Sequence, residues 1–359
     1  MPFSTDRLLL LVLVVVHGIA CRGQVKPHTK PTERNALGIG RPVSALDDQI
    51  WVVFQDAKGN FWFGSKDNGI FHFDGTTLQQ LTTADGLLDN AIRGVQEDQA
   101  GNIYVETPRG INKFDGIKFT TLEVLRTLPN DWKLAPEDLW FNCNGNAHHV
   151  YRFDGEQLYE LQLPRQAIEQ RLGIDESATP YSPYTVFGVA KDRRGHLWLG
   201  TVLAGAFRFD GARFLWIGEK ELSRLADGRE PGVRSILEDR EGNIWLSNFK
   251  TKYVIAADAS GYQRRPAADL SEEMAADKLL YFNAGLADQN GDLWMVSYGG
   301  GVWKYDGATL SNFEISNAEE TVLLIDIYQD RDGTIWLGTD NDGVYRQTAD
   351  GFEKFKPKG

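Results

Sequence analysis

The chain has 359 residues, of which 42% are hydrophobic and 25% charged, and this ordinary globular composition excludes a disordered protein. Its formal net charge is −12. Proteins that bind a phosphate backbone need basic surfaces, so the acidic balance excludes nucleic acid as an expected partner.

The first 21 residues predict export. Arg7 precedes an apolar run from Leu8 to Val16, which is too short to span a bilayer as a helix and matches the apolar core of a secretory signal. The run is followed by Gly18-Ile19-Ala20-Cys21, which resembles the lipobox of bacterial lipoproteins, although that motif usually has leucine where this chain has Gly18. We therefore expect an extracytoplasmic protein, either a lipoprotein of the periplasm or outer membrane acylated at Cys21, or a secreted protein. A lipid on Cys21 would be its only membrane contact.

Residues 22–45 predict a tether, because they contain Pro27, Pro31 and Pro42 and few apolar groups. The chain has two cysteines, Cys21 and Cys143. We expect Cys143 to be buried, unpaired and inert, since a free cysteine usually behaves as a small hydrophobic residue.

Residues 46–359 contain a repeated apolar phrase centred on tryptophan or tyrosine. It returns at intervals of about forty to fifty residues, which is typical of propeller and solenoid proteins. The central aromatic residues are Trp62, Tyr104, Trp140, Trp198, Trp245, Trp294 and Trp336.

One repeat predicts one antiparallel sheet. In the copy between residues 186 and 216, four short apolar strands are separated by turns, the last of them at Asp210-Gly211. Asp-Gly is a favoured hairpin turn because its positive φ angles suit the twist of the flanking strands. A further aspartate stands three residues before a glycine ahead of most aromatic phrases, as at Asp192 and Gly195, and predicts a capped turn. The third repeat, around Trp140, lacks this turn.

Seven such sheets predict an all-β protein, a seven-bladed β-propeller of four-stranded antiparallel blades. A single sheet has two apolar faces and is unstable alone, whereas sheets arranged radially cover each other's faces. The recurring aromatic side chains are expected to pack between neighbouring blades.

The repeats resemble those of the two-component regulator propeller family. His196-Leu197-Trp198-Leu199-Gly200-Thr201 and Thr334-Ile335-Trp336-Leu337-Gly338-Thr339 carry the resemblance most closely. Members of the family form the extracytoplasmic sensing region of many bacterial hybrid histidine kinases. The resemblance implies ligand binding and signal transduction. Since no kinase motif precedes Gly359, it implies a stand-alone seven-bladed member without kinase output.

The predicted order of strands locates a ligand-binding face. Connections from each fourth strand to the next blade, and from each second to third strand, should open on the same face, and function concentrates on such loops. Three connections there are long, covering residues 164–184, 218–233 and 264–280. The candidate ligand-binding residues from this face are Asn90, Arg93, Trp132, Asn142, Asn144, Tyr181, Tyr184, Arg234, Asn248, Tyr298, Asp340 and Asn341.

Three functions remain open. The favoured interpretation is binding of a small polar or carbohydrate-like ligand without conversion. The second is a scaffold that holds an envelope protein on the same face. The third is an enzyme similar to streptogramin lyases, which are seven-bladed propellers that use a histidine and a magnesium ion. Of the six histidines, only His148 and His149 are candidates for such a role, and as neighbours on a strand they would point to opposite faces. We therefore predict no catalytic residue, no metal site and no cofactor.

Overall fold

The structure is a computed structural model that describes residues 37–126, 132–143, 150–172, 182–219, 222, 228–258, 260–267, 281–315, 317 and 320–357. The predicted signal, its Cys21 and residues 22–36 of the predicted tether lie outside the described residues. Residues 37–45 belong to the propeller. Leu37 and Ile39 pack on the first blade's core, and the strand β1 (Arg41–Pro42) pairs with the outer edge of that blade.

The described residues form seven sheets, which confirms the predicted seven-bladed β-propeller. The first three blades consist of β2 (Ile50–Gln55), β3 (Phe61–Ser65), β4 (Ile70–Phe73) and β5 (Leu78–Leu81); β6 (Gly94–Glu97), β7 (Ile103–Thr107), β8 (Gly110–Phe114) and β9 (Phe119–Thr121); and β10 (Val124–Leu125), β11 (Leu139–Phe141), β12 (Val150–Phe153) and β13 (Leu158–Leu161).

The other four blades consist of β14 (Val186–Lys191), β15 (Leu197–Thr201), β16 (Ala206–Phe209) and β17 (Phe214–Ile217); β18 (Ile236–Glu238), β19 (Ile244–Leu246), β20 (Thr251–Ile255) and β21 (Tyr262–Pro266); β22 (Ala284–Ala287), β23 (Leu293–Ser297), β24 (Gly301–Tyr305) and β25 (Leu310–Phe313); and β26 (Leu324–Gln329), β27 (Ile335–Thr339), β28 (Val344–Thr348) and β29 (Gly351–Lys354). Two short helices are also described, a 3-10 turn at Thr83–Asp85 and α1 (Arg165–Leu172).

The repeated aromatic side chains form the cores between blades, as predicted. None of the seven is more than 5% exposed. Trp198 of the fourth blade, for example, packs against Ile236 and Tyr253 of the fifth. Burial of this much apolar surface is the main favourable contribution to folding, so the indoles hold the ring together.

The turn aspartates bind the indoles as well as their own turns. Asp192 Oδ1 accepts a hydrogen bond from His196 N at 2.9 Å, and Asp192 Oδ2 accepts one from Trp198 Nε1 at 3.1 Å. Six of the seven repeats have this bond, with the Tyr104 hydroxyl replacing the indole in the second. The aspartate therefore satisfies the one polar atom that a buried tryptophan carries.

The third blade departs from the pattern. Its strand order is β10-β13-β12-β11, with β10 parallel to β13 at the outer edge. In the other blades the first strand lies nearest the axis, but no described residue occupies that position beside β11. The chain passes from β9 to the outer edge of the blade, so Trp140 lies on the strand closest to the axis.

The ring closes by packing of the seventh blade on the first. Phe355 contacts Phe63 and Trp336, with ring centroids 5.9 Å and 5.0 Å away. Val53 N donates to Asp326 Oδ2 at 2.8 Å. The strands of both blades come from contiguous segments, and the described residues include no strand shared between the two.

Candidate functional site

The central channel of the ring contains a cavity of about 1590 Å³. It is lined by the first strands of six blades, and by β11 in the third blade, whose described residues include no strand inside β11. One mouth is formed by loops that follow second strands or precede first strands. The predicted order of strands assigns ligand binding to this face. The channel is large enough for a sugar-sized or longer solute.

Asp340 is the centre of a polar network at this mouth. Its carboxylate accepts hydrogen bonds from Trp51 Nε1 at 2.8 Å and from the Tyr298 hydroxyl at 3.1 Å, and Lys66 Nζ lies 3.3 Å from it. These residues come from the first, sixth and seventh blades. Partial burial and the charge of Asp340 raise the pKa of Tyr298, whose side chain is still 49% exposed. The network therefore presents a fixed phenol ring to the solvent in the channel.

Two arginines at the mouth lie over aromatic rings. The Arg93 guanidinium carbon is 4.7 Å from the centre of the Trp51 ring, and that of Arg234 is 4.2 Å from the centre of the Phe187 ring. Arg93 Nη1 also donates to the Lys66 and Ile92 carbonyls, at 3.2 Å and 3.0 Å. Stacking and these bonds fix the planes of the cations before any ligand arrives.

A buried glutamate of the second blade bonds to the exposed inner edge of β11. Glu106 Oε2 accepts from the backbone N–H groups of Asn142 at 3.0 Å and Cys143 at 3.2 Å, and Gln96 Nε2 donates to the Trp140 carbonyl at 2.7 Å. Burial raises the pKa of Glu106. These side chains thus bond to the backbone of the third blade where the first strand lies in the other blades.

Similar bonds join other blades along the channel. Asn142 Nδ2 donates to the carbonyls of Val186 and Phe187 at 3.2 Å and 3.1 Å. Asn283 Nδ2 donates to the Leu324 carbonyl at 3.0 Å. Burial raises the pKa of Asp326, which accepts from the first blade, to about 6. The channel wall is thus held by side-chain contacts from blade to blade.

The structure brings five of the predicted site residues to the channel: Arg93, Asn142, Arg234, Tyr298 and Asp340. Asn144 and Tyr181 lie outside the described residues.

The two remaining aromatic candidates lie in cores instead. Trp132 packs on Trp140, Tyr159 and Phe209 and does not line the channel. Tyr184 is fully buried, and its hydroxyl donates to the Arg165 carbonyl at 3.2 Å. The positions of both side chains are set by tertiary packing. An aromatic residue in a long connection can pack against a blade as well as face a ligand, and the sequence does not show which.

Three predicted asparagines fix loops. Asn90 Oδ1 accepts from Thr83 N at 2.8 Å, Asn248 Oδ1 from Thr251 N at 2.7 Å, and Asn341 Oδ1 from Leu323 N at 2.9 Å. None of the three lines the channel. Their side chains are used by the loops that carry them, as asparagine commonly is in turns.

The sequence interpretation missed Trp51, Lys66 and Glu106. A signal for Glu106 exists in the repeats, because the second residue after the central aromatic is Gly64, Gly200 or Gly338 in three of them. A Cβ at Gly200 would lie 2.3 Å from the Val233 carbonyl oxygen of the next blade. In these repeats the glycine lets the backbone of the next blade approach closely. A glutamate at the equivalent position prevents that close approach, so its presence in the second repeat indicates a different contact with the third blade.

The described residues include no cluster of His, Cys, Asp or Glu able to hold a metal ion. Neither His72 nor His196 lines the channel. Burial lowers the pKa of His72 to about 4, and its ring packs on Trp62. His148 and His149 lie outside the described residues. Cys143 is buried, as predicted, and burial raises the pKa of its thiol.

Together, the fold and the channel define a seven-bladed propeller with a polar, ligand-sized channel. Within that class, the sequence model of the two component regulator propeller family matches residues 228–250 and 319–341. This confirms the resemblance inferred from the repeats. No curated protein sequence matches the chain.

Solved structures share the fold. The extracellular domain of a hybrid two component system from B. thetaiotaomicron is 19% identical, with a TM-score of 0.60, over 85% of this chain and 39% of its own length. A streptogramin B lyase is 13% identical, with a TM-score of 0.60, over 85% of this chain and 95% of its own. YCF48 bound to D1 peptide is 11% identical, with a TM-score of 0.54, over 86% of this chain and 93% of its own. This chain thus spans about two fifths of the bacteroidal domain.

Among the described residues, no helix has both the length and the apolar character needed to cross a bilayer.

Proposed function

We propose that this protein is an extracytoplasmic binding protein that captures a small polar or carbohydrate-like ligand at the mouth of its channel, without converting it. The observation that carries the proposal is the network around Asp340. It joins Trp51, Lys66 and Tyr298 from two other blades and holds an exposed phenol ring at the opening of the channel. An aromatic face with hydrogen-bonding groups around it suits a sugar ring.

The sequence supports the location. The predicted signal at residues 1–21 favours export, and Cys21 is the proposed site of lipidation. The bacteroidal domain of similar fold is described as extracellular. Repeats of a family that forms sensor regions also favour recognition of a solute, with the output supplied by a partner protein.

A thermal-shift screen of the full chain against neutral and acidic oligosaccharides tests the proposal. A ligand that binds only the native state raises the melting temperature, by an amount that grows with its concentration. Tyr298→Ala should remove most of the shift. Ile117→Ala is the matched control, since Ile117 is 74% exposed on the turn between β8 and β9, at the other end of the blades. Equal shifts in both variants would contradict the site.

A scaffold function is the second candidate. The YCF48 propeller is described as bound to a peptide, and the same face here would hold an envelope protein. In that case no solute would change the melting temperature, and a purified envelope protein would remain bound to the wild type but not to Tyr298→Ala.

A further inference from the structure

The charge of the channel mouth is opposite to that of the whole chain. The formal net charge is −12. The mouth nevertheless gathers four cations, Lys66, Arg93, Arg229 and Arg234, with the carboxylates Glu230 and Asp340. Two further carboxylates of the lining, Glu106 and Asp326, accept backbone hydrogen bonds between blades, and burial raises the pKa of both. The far end of the channel has more acidic than basic groups, with Glu97, Asp98, Glu137 and Asp138 against Lys191. Such a concentration of positive charge in an acidic protein favours an anionic ligand, because a lined cleft focuses the field.

The two arginines are the groups best placed to bind an anion. Neither has a carboxylate within 4 Å among the described ion pairs, although Asp67 and Asp89 are close enough to Arg93 to affect its titration. Lys66, in contrast, is paired with Asp340. Burial lowers the pKa of Arg93, which reflects a cation with part of its hydration removed.

Their contacts leave a donor edge for a ligand. A guanidinium has five N–H donors in one plane. The bonds to backbone carbonyls use Nη1 of Arg93 and Nε of Arg234, and a side-chain hydrogen bond also joins Arg234 to Tyr281. Each guanidinium still keeps N–H groups for a ligand. Stacking on Trp51 and Phe187 holds each plane fixed, so that the fork matches the two oxygens of a carboxylate or a sulfate. The arginines come from the second and fifth blades, on separate sides of the channel.

We propose that the ligand is an acidic oligosaccharide, whose carboxylate or sulfate groups are bound by Arg93 and Arg234 while a sugar ring lies on Tyr298. This inference rests on the proposed function and specifies its ligand class.

Calorimetric titration of the full chain tests it, with three probes of equal length: an oligogalacturonate, a sulfated galacto-oligosaccharide and the neutral galacto-oligosaccharide. We expect the uronate, the sulfated probe or both to bind at least about tenfold more tightly than the neutral one, since hydrogen bonds to charged groups are the stronger class. Affinity for the acidic probe should fall between low and high salt, because exposed charges are screened. Which acidic probe binds identifies the anionic group.

Variants test whether binding of the acidic probe depends on these two arginines or only on the overall charge of the protein. Arg93→Gln and Arg234→Gln should each weaken the acidic probe by about ten- to hundredfold and leave the neutral probe unchanged. The matched control is Arg213→Gln, at an exposed turn where Arg213 pairs with Asp210 at 3.3 Å. Melting temperatures without ligand show that each variant is folded.

The two proposals fail differently. Equal binding of neutral and acidic probes, or binding that the two glutamine variants do not weaken, would overturn the acidic ligand and leave the binding function intact. Failure of every oligosaccharide to bind would overturn both.

Discussion

Gly94 and Glu106 face each other across β6 and β7, and a Cβ atom on Gly94 would lie 2.2 Å from Glu106 Oε1. The glycine therefore provides the space from which the carboxylate reaches the third blade. We expect Gly94→Ala to displace that carboxylate and leave the backbone N–H of Cys143 without its acceptor. The free energy of unfolding should fall by about 1–3 kcal/mol, as measured by urea denaturation.

Gly261→Ala is the control for this change. An added Cβ there meets no atom within 4 Å, and the residue does not have a positive φ. Its effect should stay within about 0.5 kcal/mol, as for most surface substitutions. Equal effects of the two substitutions would show that Glu106 does not depend on Gly94.

Asp326 should make stability depend on pH in a specific direction. Burial raises its pKa from 3.8 to about 6. Between these values the folded chain holds a proton that the unfolded chain has released. The contribution of Asp326 to stability is therefore complete below about pH 4 and is lost as the pH rises to about 6. Asp326→Asn cannot ionise, so its stability relative to the wild type should increase by about 3 kcal/mol from pH 4 to pH 7.

Urea denaturation of both proteins across this range measures the difference. The comparison cancels the other titrating groups, which are the same in the two chains. A difference in unfolding free energy that does not vary with pH would show that folding does not raise the pKa of Asp326.

Trp198→Ala tests the packing between blades. The side chain is 1% exposed between the fourth and fifth blades, so its removal should cost about 3–5 kcal/mol of unfolding free energy. Trp216→Ala, in the outer strand of the same blade, should cost less because that ring is only partly buried. A loss below about 1 kcal/mol at Trp198 would contradict the role assigned to the indoles.

Cys143 should be inert in the folded protein. Burial raises the pKa of its thiol, and the thiolate is the reactive form. In a Cys21→Ser background, we expect an aromatic disulfide reagent to label the chain only after denaturant is added. Rapid labelling of the native chain would indicate that the region around Cys143 opens readily.

The repeats allowed the fold to be predicted because each one carries its own turns, its buried aromatic and its strand pattern. The bond from Trp198 to Asp192 was not predicted, although both residues were identified, since spacing along a strand does not show which turn atom an indole reaches. The described part of the third blade has no inner strand, and the sequence indicated this only weakly, by the missing turn before Trp140. The path that the chain takes between two blades decides whether an inner strand forms, and amino-acid composition says little about that path.

The candidate site was harder to predict from the sequence than the fold. The face was found from the order of strands, but the direction of each side chain was not. Trp132 and Tyr184 turn into cores because burial of their rings is favourable, whereas Trp51, at the start of an ordinary first strand, reaches the mouth. Arg93 and Arg234 can be found from the sequence, because each lies eleven residues before the central aromatic of its repeat, Tyr104 and Trp245.

The contact between the seventh and first blades implies that the order of the blades in the sequence can be permuted. Each blade is a contiguous stretch of sequence, and among the described residues the first and last blades pack together without sharing a strand. A circular permutant, with residues 357 and 37 joined by a flexible linker and new termini placed between two other blades, would encode the same ring.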